Sequence, residues 1–310
     1  MNAIQCIFCK SGNVILTDSI DTDQLIKLYQ KRAGVDVKRF FDQESISICS
    51  CKDCGLKFFW PVISGDGKFY DDLQDYPGYF LKDKTEYREA AKYITINDEV
   101  LEIGCGEGLF ADFISSRSYL GLEFSDKAIE KANLKKLNVV KQSIEEHANF
   151  AKEKYDVVCS FQVLEHVNDP GEFIKHGLCC LKPGGKLIIA VPSEDSFIRD
   201  AVNFYLNMPP HHVSRWSDET LKKNAGIFNL KINDTIHEPL HAIHKKFYLK
   251  TIIFKKLTEI FGIRRKYVDP GFACTMIYIA ATTAAFIASP FLNDPEKING
   301  QSVLVVYSKK

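Results

Sequence analysis

Short apolar runs alternate with amphipathic stretches from Glu99 to Pro192, and this constrains the fold more than any other feature of the chain. Residues 100–103, 119–124, 139–142, 155–161 and 186–191 read as strands; 109–115 and 125–137 between them read as helices. Alternation of this kind makes a parallel sheet covered by helices on both faces. Of the 310 residues 45% are apolar and 26% charged, so a sizeable core can be buried and a disordered or collagen-like chain is excluded. One large domain with a small one beside it is expected at this length. Forty basic residues offset forty acidic ones, so no overall field draws the chain to nucleic acid.

The first strand of the series runs into Gly104-Cys105-Gly106-Glu107-Gly108. Glycines in such a turn let a ligand press against bare backbone, and the start of the following helix favours a negative group. Nucleotide-binding folds of several kinds use this device. Glu123 narrows the choice: it ends the second strand, 19 residues after Gly104, where a carboxylate accepts hydrogen bonds from ribose hydroxyls.

Taken in order, the run from Val100 to Gly108, the acidic Glu123, the run from Tyr155 to Pro170 and the run from Leu181 to Pro192 resemble the class I S-adenosylmethionine-dependent methyltransferases. The resemblance implies an α/β fold, a Rossmann-like seven-stranded methyltransferase sheet with helices on both faces, occupying 97–310. It implies that S-adenosylmethionine lies along Glu102, Gly104, Cys105, Gly106 and Gly108. Glu123 would hold the ribose with Phe124 beside it, Ser143 and Ile144 would flank the adenine, and Phe161 and Gln162 would stand near the sulfonium. Cys105 fills the small slot in the turn, and His166 reads as a structural residue at a helix start.

Upstream, Cys6-Ile-Phe-Cys9 and Cys51-Lys-Asp-Cys54-Gly55 stand 41 residues apart, the spacing of two zinc knuckles. Four thiolates close a tetrahedral zinc with no open position, so the metal would hold structure and do no chemistry. Cys49 is either a substitute ligand or a bystander. No basic stretch leads into an apolar run at the N-terminus, so a signal peptide is not expected and the chain is placed in the cytoplasm, where disulfides are rare. A zinc-ribbon-like module is expected over 1–68. Linker helices covering the cofactor cleft are expected over 69–96, with one helix at 85–94.

The zinc pairs, the tyrosine-rich stretch 76–87 and the run from Asn207 to Ser217 also resemble sugar methyltransferases, including those that methylate a carbon of keto-deoxysugar nucleotides. That resemblance implies a histidine base, either His211 or His212, with Tyr79 assisting. A near-neutral imidazole can take a proton from a sugar hydroxyl or from a carbon beside a ketone. The plainer alternative has one histidine capping the helix that begins at Ser217 while the other packs beneath it.

A sixth strand at 230–236 and a seventh at 302–307 enclose a helical insertion, 240–298. Its first half, 244–266, carries eight Lys and Arg against Glu259 alone, with Leu249, Ile253, Leu257 and Ile260 at helical spacing. Residues 272–292 carry no charge and are long enough to span a bilayer. One crossing would part the last strand from its sheet. A surface-lying or re-entrant element, peripheral on the inner membrane face, fits better, the alternative being a core helix or a subunit interface.

The expected activity is methyl transfer from S-adenosylmethionine to a nucleotide-linked or lipid-linked sugar in polysaccharide assembly, with zinc structural and no nucleic-acid partner. Alternatives are an O-methyltransferase of a quinone or other lipid-soluble phenol, a zinc-ribbon RNA-binding or RNA-modifying protein, and a cofactor-binding scaffold without activity. Against RNA, no Lys/Arg stripe with aromatic residues accompanies the cysteine pairs.

Overall fold

The computed structural model describes residues 3–74 and 84–310, and it contains two sheets. The first begins with β1 (Val14–Asp21), followed by α1 (Thr22–Ala33), β2 (Ser45–Cys51) and β3 (Lys57–Trp60). Asp21 starts α1 by accepting the Gln24 amide, and Gly34 ends it in the left-handed region at φ 71°. Helices α2 (Gly67–Gln74) and α3 (Thr85–Ala91) lead to the second sheet.

There β4 (Glu99–Ile103), β5 (Ser118–Leu122), α4 (Asp126–Leu134), β6 (Val139–Val140), α5 (Ile144–Ala148), β7 (Tyr155–Phe161), α6 (Pro170–Cys180) and β8 (Leu181–Pro192) follow in turn. After β9 (Ser214–Arg215) come α7 (Asp218–Ile227), β10 (Leu230–Pro239), α8 (Lys245–Ile260), α9 (Phe272–Ala288) and β11 (Asn299–Lys309). The seven strands lie in the order β10-β11-β8-β7-β4-β5-β6. Strand β11 runs antiparallel to both neighbours and the other pairings are parallel. Helices cover both faces, so Val157, Val158 and Cys159 of β7 are wholly buried. This is the seven-stranded α/β sheet expected from the sequence. Its strand order reverses beside β4, where a crevice opens at the carboxyl ends of β4 and β7, the usual place for a ligand in such sheets.

Strand β9 belongs to the first sheet, where Ser214 and Arg215 pair with Phe58 and Lys57 of β3. The cysteine-bearing segment is bound into the larger domain at other points too. The Phe8 carbonyl sits 2.6 Å from where a Cβ on Gly171 would fall, at the start of α6, and the Phe8 ring meets Trp216 edge-on at 5.2 Å. Buried Glu194 accepts from Arg215 at 2.7 Å and from Lys57 at 2.8 Å. One hydrophobic cluster therefore contains Cys6, Cys51 and Cys54 together with Trp216, Leu101 and Val158.

The insertion forms a helix pair. The stripe of α8 that is fully buried is Thr251, Phe254 and Thr258, rotated from the Leu249–Ile260 stripe that spacing alone suggested; Ile260 is 75% exposed. Tertiary packing sets the rotation. One side of α8 meets Cys274, Ile277 and Ala281 of α9, while Phe247 and Tyr248 turn to Phe197 on the other. Its charges are also less free than expected: Lys255 and Arg265 pair with Asp200, Arg264 with Asp18, and Lys250 donates to the Tyr278 hydroxyl. Among the described residues, 272–291 is one helical stretch apolar and long enough to cross a membrane.

Candidate active site

At the carboxyl end of β4 the chain turns through Gly104 and Gly106, both at positive φ. A Cβ on Gly104 would lie 2.5 Å from Val163, so backbone approach there requires glycine; one on Gly106 would meet nothing within 4 Å, because it faces open space. Glu123, at the end of β5, accepts the Gly106 amide through Oε2 at 2.8 Å and the Phe124 and Ser125 amides through Oε1 at 2.7 and 2.8 Å. Three backbone donors thus lock the carboxylate in place and leave acceptor capacity on Oε2. These groups line a cavity of about 1060 Å³. A single drug-sized ligand needs about 300–1,000 Å³, so a cofactor and an acceptor can share the space.

Gly104, Cys105, Gly106, Glu123, Phe124, Phe161 and Gln162 all line this cavity. Gly108 does not: a Cβ there would run into Leu137. Glu102 is buried behind the turn with its carboxylate accepting from the Tyr119 hydroxyl at 2.5 Å. The structure does not bring Ser143 and Ile144 to the wall. Ser143 is engaged in a capping box with Glu146 at the start of α5, and Ile144 sits in the core. Lys141, two residues earlier, reaches the cavity instead. Tyr79 lies outside the described residues.

Gln162 follows β7 in the left-handed region at φ 57°, an uncommon conformation for a residue with a side chain. Its amide nitrogen donates to Glu86 at 3.3 Å and to Ser302 at 3.1 Å. The next turn, Leu164–His166, carries Glu165 and His166 into the cavity lining. His211 and His212 arrive from a second turn, where both amides bond to the Met208 carbonyl. Their rings stack at 4.4 Å, and His166 stands edge-on to both at 4.7 and 4.8 Å. Ser217 itself caps α7, so neither histidine serves as the cap.

Burial sets the charge state of this cluster. It pushes His166 down to about 4 and holds His211 and His212 well below the ordinary histidine value, so all three imidazoles are neutral at pH 7. The same burial pushes Glu165 up to about 8. Spacing alone gave His166 only as a structural residue and did not bring Glu165 or Tyr70 to the cavity that all three line; the Tyr70 hydroxyl lies 3.2 Å from His166 Nδ1. The signal available was the Glu165-His166 pair directly after a buried strand.

At the N-terminus, Cys6, Cys9, Cys51 and Cys54 bring their four sulfurs within 4.8 Å of one another, with Cys6–Cys54 and Cys9–Cys51 at 3.5 Å. Tetrahedral zinc with bonds of about 2.3 Å separates its sulfurs by about 3.8 Å, so the set fits that ion. Hydrogen bonding from Cys54, aided by the Cys9 and Phe8 amides, pulls the Cys6 thiol down toward the thiolate that a metal requires. Cys49 is a buried bystander outside the group.

Residues 73–234 match the profile of a methyltransferase domain, which is more than half of the chain, and the chain belongs to that family. Two similar curated proteins are the ubiquinone biosynthesis O-methyltransferases of Salmonella arizonae and Salmonella typhimurium. Each is 29% identical over 159 residues, taking in 44% of this chain and 66% of the relative. The chain thus spans a little under two thirds of their length. Among solved structures, a SAM-dependent methyltransferase from Archaeoglobus fulgidus aligns with 72% of this chain and 90% of its own, at 22% identity and a TM-score of 0.44.

Proposed function

We propose that this protein transfers a methyl group from S-adenosylmethionine to a small-molecule acceptor. The observation that carries the reading is that the glycine turn, the amide-locked Glu123 and a buried histidine cluster open on one cavity. Gly104 to Gly106 would lie against the cofactor backbone-first, and Glu123 would accept from its ribose. When bound, the cofactor supplies an electrophilic methyl on a sulfonium. The protein's own part is to align the acceptor, keep water out and accept a proton at the histidine cluster. Glu123→Ala should weaken binding of S-adenosylhomocysteine roughly tenfold to a hundredfold, the value of a charged hydrogen-bonding partner. Calorimetry giving equal affinity for the variant and the parent would sink the ribose assignment.

A sugar, nucleotide-linked or lipid-linked, is the acceptor this cavity suits best. Glu86, Gln162, Glu238, His241 and Ser302 form a wall dense in hydrogen-bonding groups, as a polyhydroxyl ligand requires. A lipid-soluble phenol or quinone precursor is the second reading, favoured by the ubiquinone-pathway activity for which the Salmonella relatives are named and by Phe204, Leu206 and Phe247 in the cavity lining. Incubation with keto-deoxysugar nucleotides and with dihydroxyphenols, read by mass spectrometry, separates the two. Methylated phenol without any methylated sugar would overturn the first.

Peripheral membrane attachment is a further part of this reading. On α9 and the turn after it, Phe272, Met276, Ile279, Phe286, Ile287 and Phe291 are 49–81% exposed and no charge interrupts them. Helices of this kind lie in the interface with the apolar face down. The parent protein should sediment with phosphatidylglycerol-containing vesicles, while Ile279→Glu with Phe286→Glu should remain in the supernatant. Equal partitioning of parent and variant would exclude attachment through this face.

A further inference from the structure

We infer that His166, His211, His212 and Glu165 form a site for a divalent transition-metal ion in the cleft. One ring nitrogen from each of the three histidines lies within 4.8 Å of the others. In every ring Nδ1 faces a carbonyl oxygen: His166 faces that of His211 at 2.5 Å, His211 that of Leu206 at 2.7 Å, and His212 the side-chain oxygen of Asn207 at 3.0 Å. Those acceptors fix the proton on Nδ1 and make Nε2 the lone-pair nitrogen. The same arrangement orients imidazoles around bound metals.

The carboxylate supplies an independent observation. Glu165 is 1% exposed, and neither of its oxygens has a hydrogen-bond partner among the described residues. Its Oε1 stands 3.8 Å from His166 Nε2 and 3.9 Å from His212 Nε2. Those separations are too long for hydrogen bonds, yet near the ~3–4 Å between two ligands on one ion with bonds of about 2.0–2.2 Å. Glu165 thus stands beside two of the three converging imidazoles, and a cation bound among them would give its partnerless carboxyl a counter-charge.

Three imidazoles and one carboxylate suit zinc, iron(II), cobalt or manganese better than magnesium or calcium. The group also lines the cavity, unlike the closed cysteine set, so an acceptor oxygen can reach the ion. There the ion would hold that oxygen as an anion while it is methylated. This role rests on the methyl-transfer reading; the binding of metal does not.

Cobalt(II) is the probe. Added to the full chain with its cysteine site already filled by zinc, it should bind once more per chain, with the visible spectrum of nitrogen and oxygen ligands and no sulfur charge-transfer band. Excess magnesium should not displace it. His212→Ala and the near-isosteric Glu165→Gln should each weaken cobalt binding, by roughly 100-fold for the histidine. Folding of both variants is checked by S-adenosylhomocysteine binding. Absence of the nitrogen/oxygen spectrum in the parent protein, or unchanged cobalt affinity in folded Glu165→Gln and His212→Ala, overturns the site. Cobalt uptake without any binding of S-adenosylhomocysteine would leave the metal site standing and defeat the proposed function instead.

Discussion

Replacing Cys51 and Cys54 together by serine should abolish the zinc binding that we propose for the four-cysteine group and lower the unfolding temperature by at least ~10 °C. Structural zinc contributes apparent binding energies of about 10–16 kcal/mol in small zinc-bound peptides. Even about 5 kcal/mol of lost stability corresponds to roughly 10–20 °C in a domain of ordinary size. The effect should not remain local. Cys6, Cys51 and Cys54 share a buried cluster with Trp216, and β9 joins the same sheet immediately after His211 and His212. Loss of the metal should therefore loosen the cleft as well as the first sheet. Elemental analysis and scanning calorimetry check the expectation. Freshly prepared parent protein without zinc, or a chelated sample that melts at the parent temperature, would refute it.

What could be read from the sequence was whatever is encoded locally. The glycine turn, Glu123 and the two cysteine pairs announce themselves because the conformation or ligand geometry they serve is set within a few residues. Strand β9 could not be foreseen. It has two residues, and its pairing with β3 depends on how a segment near Pro210 returns across the domain. His166 read as structural for the same reason: 45 residues separate it from His211, and only the meeting of two turns shows that their rings share a site. The resemblance sets Ser143 beside the adenine, whereas the structure engages its hydroxyl in a capping box and leaves the residue off the cavity lining. For α8 the error was one of rotation, since apolar residues on three sides of a helix leave its orientation to the neighbours.

Turnover should fall ~10²–10⁴-fold in His211→Ala and in His212→Ala, with affinity for S-adenosylhomocysteine unchanged. Both rings are buried against the cavity, and burial keeps them neutral at pH 7, so each offers a lone pair without first losing a proton. A group that takes the acceptor's proton directly, and one that holds a metal ion which binds the acceptor oxygen, lose the same step on truncation. In either case the loss should appear in kcat rather than as a rise in cofactor Kd, since the cofactor would be held by Glu123 and the glycine turn and not by these histidines. The two roles separate on rescue. Added imidazole can replace a missing base, whereas a lost ligand is compensated by raising the concentration of metal. The measurement uses the acceptor that the sugar and phenol screen identifies. Near-parent turnover in both single variants would reduce the pair to packing, and the proton would then have to leave by way of Tyr70 or solvent.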